Sequence, residues 1–189
     1  MIPWKITEKE KQMAEKIGKV LFNLDYYEEK DVYSDGDIEE VLLDIAMNHK
    51  PEEFPQLIHD QASWPILYHL SEQRENIIEW FPMKEDAAVL EVGAGCGAVT
   101  GALTAKAKKV VANDLSKRRS LINAWRHRED DNLEIVVGNF NTVADKINEK
   151  FDYITLIGVY EYAESYTKEK DPYSVFLNKI NGLLKEDGE

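Results

Sequence analysis

The stretch from Val89 to Ala98 limits the fold of this chain more than any other. An apolar run over residues 87–92 carries one carboxylate, Glu91, and leads into Gly93-Ala94-Gly95-Cys96-Gly97, with glycine at alternate positions. Polar and apolar residues then follow at helical spacing, which predicts a buried strand, a tight turn and the start of a helix. Glycine permits a positive φ and a close approach of a ligand to the backbone, and a helix opens with free N–H groups. The turn is therefore typical of a nucleotide-type binding loop.

Downstream of this loop, strand patterns alternate with helix patterns. Alternation of this kind predicts an α/β protein whose parallel sheet has right-handed connections and lies between layers of helices. The predicted strands are Ala87–Val92, Lys109–Asn113, Leu133–Val137 and Phe151–Ile157, and the later helices are Ser116–Arg128, Thr142–Glu149 and Pro172–Leu184.

The first part of the chain is predicted to be helical. Thr7 to Glu10 has the pattern of a capping box, and we expect a helix from there to about Leu24. Further helices are predicted over Ile38–Met47, after Asp37 as N-cap, and from Ser63 to Phe81, ended by a proline. We therefore divide the chain into an all-helical N-terminal segment, residues 1–82, and an α/β domain, residues 83–189.

Several residues that are unusual for a core come together if the sheet is parallel. Ligands of open α/β sheets bind at the carboxyl ends of the strands. That rule places five positions along one edge of the predicted sheet, namely Glu91, Asp114, Asn139, Phe140 and Gly158.

The glycine loop alone permits two cofactors. Gly93-x-Gly95-x-x-Ala98 also satisfies the dinucleotide fingerprint, and Asp114 lies where an NAD enzyme holds its ribose hydroxyls. What distinguishes the two interpretations is the carboxylate of Glu91, two residues before the first glycine, together with the third glycine, Gly97.

With these residues the chain resembles the class I S-adenosylmethionine-dependent methyltransferases. Their first motif, Glu/Asp-x-Gly-x-Gly-x-Gly, is matched from Glu91 to Gly97, and the acid at the end of their second strand is matched by Asp114. Gly138-Asn139 resembles their Gly-Asp turn after strand three, and residues 183–188 resemble the turn before strand five. The resemblance implies a Rossmann-like three-layer α-β-α sandwich in which the strands present have the order 3-2-1-4.

The resemblance also implies roles for residues of this site. Asp114 would accept hydrogen bonds from both ribose hydroxyls, and Glu91 would orient the loop and the amino group of the cofactor. Leu115, Asn139 and the backbone of Phe140 would contact the adenine. The full set of implied S-adenosylmethionine contacts is Glu91, Gly93, Ala94, Gly95, Gly97, Asp114, Leu115, Asn139, Phe140 and Gly158.

Methyl transfer from a sulfonium needs positioning and, for some acceptors, a base. Candidates are Glu161, which we rank first, Tyr160 and His69. No metal is expected, since the histidines have no ligand spacing. Cys96, the chain's single cysteine, is interpreted as a small loop residue and not as a nucleophile.

The acceptor is predicted to be a small molecule or a saccharide. After strand four the chain has Gly158-Val159-Tyr160-Glu161 instead of the Asp/Asn-Pro-Pro-aromatic motif of enzymes that methylate nucleobase amines. The segment Trp64–Leu70 with Arg74 resembles the leader of methyltransferase modules beside bacterial glycosyltransferases, which suggests polysaccharide biosynthesis. A non-catalytic binding or scaffold module and an NAD(P)-dependent oxidoreductase remain as alternatives.

Charge and hydropathy indicate which partners to expect. The net charge of −13 and the pI near 4.8 disfavour nucleic acid. Residues 117–128 hold the one basic cluster, which we interpret as a solvated helix face. A signal peptide and a membrane span are not expected, so the predicted location is the cytoplasm.

The chain stops at Glu189, where a class I enzyme would begin its fifth strand. Strand Phe151–Ile157 would then be an open apolar edge, which is a liability for a soluble protein. We therefore predict that the sequence is a fragment of a longer polypeptide or that a partner chain, such as a second copy in a homodimer, covers this edge.

Overall fold

The computed structural model describes residues 14–31, 34–166 and 169–189. In this part of the chain a six-stranded sheet has the order β1-β2-β5-β4-β3-β6. Its strands are β1 (Ala14–Ile17), β2 (Val20–Tyr26), β3 (Ala88–Val92), β4 (Lys109–Asp114), β5 (Leu133–Gly138) and β6 (Tyr153–Thr155).

Four adjacent strands, β5-β4-β3-β6, are parallel and reproduce the predicted order 3-2-1-4. Apolar residues cover both of their faces, as is usual for a parallel sheet buried between helices. The connecting helices are α5 (Thr100–Thr104), α6 (Lys117–Arg126), α7 (Phe140–Ala144), α8 (Ala163–Tyr166) and α9 (Pro172–Leu183). This mostly parallel sheet with flanking helices is a Rossmann-like arrangement.

The prediction of a helix up to Leu24 was wrong, because β1 and β2 form an antiparallel hairpin there. β2 continues the sheet by pairing in parallel with β5. Val20 and Phe22 are fully buried on alternate positions, and this two-residue period belongs to a strand. Gly18 makes the turn with a φ of +60°. The predicted capping box, Thr7 to Glu10, lies outside the described residues.

The segment between β2 and β3 is helical, in shorter pieces than the sequence indicates. Its α-helices are α1 (Ile38–Asn48), α2 (Phe54–Gln61), α3 (Trp64–Leu70) and α4 (Asn76–Glu79). The helix predicted from Ser63 to Phe81 breaks at Ser71, which is extended and whose hydroxyl accepts a hydrogen bond from Gln73 N. Ile77, which follows this break, is 53% exposed.

Helices α1 to α3 pack on the sheet layer through one apolar cluster. Leu42 and Ile45 of α1 and Ile66 of α3 contact Ile122 of α6 and the buried Cys96 of the glycine loop. Burial raises the pKa of the Cys96 thiol to about 12, which agrees with a packing role. The contact brings α3 and the start of α1 beside the carboxyl edge of the sheet.

The edge strand β6 is shorter than the predicted Phe151–Ile157 strand, and the end of the chain pairs with it in part. Phe151 bridges to Leu184, Ile154 N donates to Glu189 O at 2.9 Å, and Glu189 N donates to Asp152 O at 2.9 Å. Coverage of the remaining edge by a partner or by further chain stays a prediction. Within the described ranges, no helix has the length and apolar character needed to cross a membrane.

Candidate active site

The glycine loop leaves β3 with three residues in the left-handed region. φ is +74° at Gly93, +55° at Gly95 and +76° at Gly97. A Cβ at Gly93 would lie 2.6 Å from a methyl group of Val159, and one at Gly97 would lie 2.3 Å from Asn123 Oδ1. Around Gly95 nothing lies within 4 Å of such an atom. Two of the glycines therefore allow the loop to pack against the protein, while Gly95 presents an open backbone surface.

Asp114, the last residue of β4, ties this loop to the following helix. Its Oδ2 accepts a hydrogen bond from Gly95 N and its Oδ1 accepts one from Ser116 N, both at 2.8 Å. Burial raises the pKa of Asp114, and these two N–H groups oppose the rise. The carboxylate is thus held in a fixed orientation with further lone pairs on both oxygens.

A chain of buried hydrogen bonds lies beneath the loop. Thr100 Oγ1 donates to Glu91 Oε2 at 2.6 Å and accepts from Asn123 Nδ2 at 3.0 Å. His127 Nδ1 lies 2.8 Å from Asn123 Oδ1. Burial raises the pKa of Glu91 to about 7, against the effect of the Thr100 hydroxyl. No partner for Glu91 could be named from the sequence; the structure provides a hydroxyl from α5 in place of the cation that a buried acid often pairs with.

A cleft of about 760 Å³ opens beside the loop at the carboxyl edge of the sheet. One wall comes from the loop and the strand ends, and the other comes from α3, the start of α1 and the residues before it. The lining residues are Asp35, Ile38, Trp64, Pro65, Tyr68, His69, Gly93, Asp114, Leu115, Arg119, Gly158, Val159 and Tyr162.

Charged groups in this cleft form one cluster around Asp35. Its Oδ2 lies 3.2 Å from His69 Nε2 and is paired with Arg119 Nη2. Arg119 Nε also donates to Glu39 Oε1 at 3.0 Å. Burial, followed by the charge of Arg119, lowers the pKa of His69 although Asp35 opposes this. The imidazole is therefore neutral at pH 7, and its Nε2 carries the hydrogen, because the facing carboxylate only accepts.

The predicted cofactor residues divide into two groups in the structure. Gly93, Asp114, Leu115 and Gly158 line the cleft. The other predicted residues are not among those that line the cleft. Of these, Glu91 is buried with 5% exposure, and Ala94 N donates to Asn113 O.

The two residues predicted after β5 are used by the fold itself. Asn139 Oδ1 accepts from Asn141 N at 3.0 Å and so caps α7. The ring of Phe140 is buried, with its centroid 5.0 Å from that of Phe176. Neither residue is among those that line the cleft, so a contact to adenine would need the exposed edge of the Asn139 side chain or the Phe140 backbone.

The candidate bases also lie in different surroundings. His69 lines the cleft and is 7% exposed. Tyr160 packs against Tyr173, with ring centroids 5.4 Å apart. Glu161 is exposed on the one-turn helix Tyr160–Tyr162 and is not among the residues that line the cleft. Tyr162, which is 51% exposed, lines the cleft in their place.

Sequence reasoning missed Asp35, Ile38 and Arg119 as cleft residues. The basic cluster of residues 117–128 is not a solvated face: Arg119 pairs with Asp35 and Glu39, and Arg126 is 5% exposed. These pairs join residues far apart in the chain, so the charge pattern of α6 alone contains no signal for them.

Comparison with known proteins agrees with this geometry. The family described as "Methyltransferase domain" matches residues 90–189, which is more than half of the chain. No curated protein matches the sequence.

Three solved structures share the fold at low sequence identity. A DhpI complex with SAM and HEP is 20% identical, with a TM-score of 0.50, over 83% of this chain and 65% of that chain. Phosphoethanolamine N-methyltransferase 1 of Haemonchus contortus is 19% identical, with a TM-score of 0.51, over 83% and 33%. Precorrin 8w decarboxylase of Methanobacterium thermoautotrophicum is 21% identical, with a TM-score of 0.50, over 62% and 59%.

The match thus covers less than two thirds of each of these three proteins. At these identities the structures establish the fold alone, while the family match covers the glycine loop, Asp114 and the strands that follow. We conclude that the chain belongs to the methyltransferase domain family.

Proposed function

We propose that this chain is an S-adenosylmethionine-dependent methyltransferase that binds its cofactor in the cleft beside the glycine loop. The observation that carries the proposal is the carboxylate of Asp114. It lines the cleft, and Gly95 N and Ser116 N hold it in place. A pair of ribose hydroxyls is the kind of ligand that such a fixed carboxylate binds.

The donor and acceptor groups of the cleft fit this cofactor. Two ionised oxygens offer about four lone-pair positions, and the backbone uses two of them, so two remain for the ribose hydroxyls. Leu115, next along the chain, is partly exposed to the cleft and offers an apolar contact for adenine. A Cβ at Gly158 would have no neighbour within 4 Å, so this glycine leaves room opposite. Asn139 and the backbone of Phe140 complete the proposed adenine end.

Charge favours S-adenosylmethionine over a dinucleotide. The cofactor carries a sulfonium and an ammonium, and the cleft is lined by the carboxylates of Asp35 and Asp114 against the one guanidinium of Arg119. A pyrophosphate instead needs the N–H groups of a helix that begins directly after the glycines. Here α5 begins only at Thr100 and has 5 residues. An NAD(P)-dependent oxidoreductase is therefore the weaker proposal.

Within this proposal His69 is the favoured base. When bound, the cofactor supplies a methyl group on an activated sulfonium leaving group. The contact with Asp35 keeps the hydrogen on His69 Nε2 and leaves the lone pair on Nδ1, where a proton from an acceptor hydroxyl or amine can go. Glu161 and Tyr160, which lie outside the cleft lining, become secondary candidates.

The acceptor proposed for this site is a small neutral molecule or a saccharide. Trp64, Tyr68 and Tyr162 line the cleft and are 71%, 45% and 51% exposed. Flat aromatic faces of this kind suit a ring with an apolar face. The cleft carboxylates disfavour a phosphorylated acceptor. A place in polysaccharide biosynthesis, a cytoplasmic location and a partner over the β6 edge are further proposals, which rest on the sequence.

Two of the structures with the same fold lend support to the cofactor. The DhpI structure is a complex with SAM, and the Haemonchus contortus enzyme is a complex with phosphoethanolamine and S-adenosylhomocysteine. Their acceptors are not transferred to this chain, because the identities of 20% and 19% concern the fold.

Titration calorimetry tests the cofactor. S-adenosylhomocysteine and NAD are titrated into the wild type, into Asp114→Ala, and into Asp86→Ala as an exposed control. We expect binding of S-adenosylhomocysteine, with an affinity reduced about 10- to 100-fold in Asp114→Ala, since a charged hydrogen bond contributes about 1.5–3 kcal/mol. Binding of NAD alone would overturn the proposal in favour of an oxidoreductase. Binding of neither would favour a non-catalytic module.

The acceptor and the base are tested by transfer of a radiolabelled methyl group. A panel of neutral saccharides and their phosphorylated counterparts is offered to the wild type and to His69→Asn. We expect transfer to a neutral member, and in His69→Asn a lower kcat at an unchanged affinity for S-adenosylhomocysteine. Equal turnover in both proteins would remove His69 as the base and return attention to Glu161 and Tyr160.

A further inference from the structure

A second cleft, of about 700 Å³, shares no lining residue with the first. It is formed by the start of α2, the short helix at residues 72–75, the exposed side of α5 and the end of α6. The proposed methyl transfer uses none of these surfaces.

Two neighbouring polar residues at the bottom of this cleft are more than nine-tenths buried. Arg126 is 5% exposed and His127 is 8% exposed, and both line the cleft. Arg126 Nη1 donates to His69 O at 2.6 Å, and the guanidinium lies 5.6 Å from the ring centroid of Phe54. Across the described residues, no carboxylate lies within salt-bridge distance of Arg126, although the charges of Glu75 and Glu72 act on it, and its Nε and Nη2 have no hydrogen-bond partner. These spare donors line the cleft and can bind an acceptor group of a ligand.

His127 supplies the complementary group. Its Nδ1 faces two acceptors, Asn123 O at 3.1 Å and Asn123 Oδ1 at 2.8 Å, and therefore carries the hydrogen. Burial lowers the pKa of His127 to about 3, which keeps the ring neutral. Its Nε2 then holds a lone pair, for which the described part of the chain offers no donor. The bottom of the cleft thus presents donors and an acceptor side by side.

The rim of the cleft is acidic. Arg128 is turned inward, with Nη1 donating to the carbonyls of Ala46 and Trp125. Of the rim carboxylates, Asp130 accepts from the Thr104 hydroxyl and Glu129 pairs with Lys19 at 3.5 Å. The lining contains six carboxylates but only three cationic side chains, those of Lys50, Arg126 and Arg128. The carboxylates are those of Glu52, Glu72, Glu75, Glu129, Asp130 and Asp131.

We propose that this second cleft binds an extended, positively charged peptide segment. A main-chain carbonyl of the peptide accepts from Arg126, a main-chain N–H donates to His127 Nε2, and lysine or arginine side chains pair with the rim carboxylates. A polyamine has donors only and leaves Arg126 without an acceptor, so a peptide fits the groups better. The proposal does not depend on the function of the first cleft.

Calorimetry at low salt with the whole chain tests the proposal, using the capped peptide acetyl-Lys-Gly-Lys-Gly-Lys-amide as the probe. The double variant Glu52→Gln/Asp131→Asn removes two exposed rim charges, and Asp86→Asn/Glu186→Gln removes two exposed charges elsewhere as the matched control. We expect the first pair to weaken binding about three- to tenfold and the control to leave it within twofold. Arg126→Met is expected to weaken binding further, with spermine binding less tightly than the peptide to the wild type.

Equal weakening by the rim variant and the control would overturn the proposal, because it would show attraction to the acidic surface in general. Absence of peptide binding to the wild type would overturn it as well. Spermine that binds as tightly as the peptide, with the same loss in the rim variant, would replace the peptide with a polyamine. The surface variants alone decide the matter if Arg126→Met does not fold.

Discussion

Glu91 offers the sharpest test of the buried hydrogen-bond chain beneath the glycine loop. The carboxyl is 5% exposed, and burial raises its pKa from 4.5 to about 7 in spite of the hydrogen bond from Thr100. Glu91→Gln keeps an acceptor oxygen for that hydroxyl and removes the charge. We expect the variant to be more stable than the wild type at alkaline pH and to bind S-adenosylhomocysteine less well, because Glu91 is proposed to orient the cofactor's amino group.

The sign and the size of this stability difference follow from the difference in the Glu91 pKa between the folded and the unfolded protein. A folded-state pKa above the unfolded value means that the favourable contribution of the protonated carboxyl is present below pH 4.5 and is lost as the pH rises through about 7. A rise of the Glu91 pKa from 4.5 to about 7 corresponds to about 3.4 kcal/mol when the loss is complete. The advantage of Gln over Glu should therefore grow from about 1.4 kcal/mol near pH 5.5 to about 3.4 kcal/mol near pH 8.5.

Urea unfolding at these two pH values measures the free energy of unfolding of the wild type, of Glu91→Gln and of Glu186→Gln as an exposed control. The control should follow the wild type at both values. An advantage for Glu91→Gln that is the same at both pH values, or a variant less stable than the wild type near pH 8.5, would refute the reasoning. Either result would show that Glu91 titrates near its ordinary pKa.

Three further substitutions probe the surroundings of the site. Thr100→Val leaves Glu91 without its hydroxyl donor and should lower the free energy of unfolding by about 1–3 kcal/mol in urea titrations at neutral pH, and no loss would contradict the bond. In Gly97→Ala the new methyl group has both a positive φ and a neighbouring side chain against it, so the free energy of unfolding should fall by about 2–4 kcal/mol. In Gly158→Ala only the positive φ opposes the change, and the loss should be about 1–2 kcal/mol. Equal losses of stability in thermal unfolding would contradict the packing of Gly97. Asp31 accepts from Lys117 N at 2.7 Å and from Arg118 N at 3.1 Å, so Asp31→Ala should lower stability by about 1–2 kcal/mol, and an unchanged melting temperature would rule out this cap on α6.

The parallel half of the sheet could be predicted from sequence because its signals are local. Each of these strands is a mostly apolar run that is followed by, or ends in, a glycine, an acid or an amide. The glycines at 93, 95 and 97 have backbone angles that only glycine adopts readily. The order of the four strands follows from the family that those residues resemble. Pro172 and Asp171 likewise mark the start of α9, where Asp171 caps the helix by accepting a hydrogen bond from Ser174 N.

The N-terminal hairpin could not be predicted in the same way. Residues 13–24 contain apolar residues at spacings that suit a helix, and this pattern predicts one. The two-residue period that indicates a strand covers only a few residues. The strand itself is stabilised by pairing with β5, more than 100 residues later in the chain. Local pattern is weaker than such a tertiary contact.

The cleft wall that Asp35, His69 and Arg119 form could not be predicted from the sequence either. Asp35 lies before α1 and Arg119 lies on α6, and their meeting depends on how α1 packs against α6. His69 was named as a candidate, but the carboxylate that orients it was not. Long-range pairs between charged residues leave no periodicity to detect.

The central claim is that the cofactor binds in the first cleft, beside the glycine loop and against the carboxylate of Asp114. Amide chemical shifts of the isotope-labelled chain, followed as S-adenosylhomocysteine is added, test it most directly. We predict that the largest shifts occur at Gly93, Gly95, Asp114, Leu115 and Ser116, with Gly101 and Thr104 of the second cleft little changed. Saturable shifts confined to residues outside the first cleft, or no shifts at millimolar ligand, would contradict it.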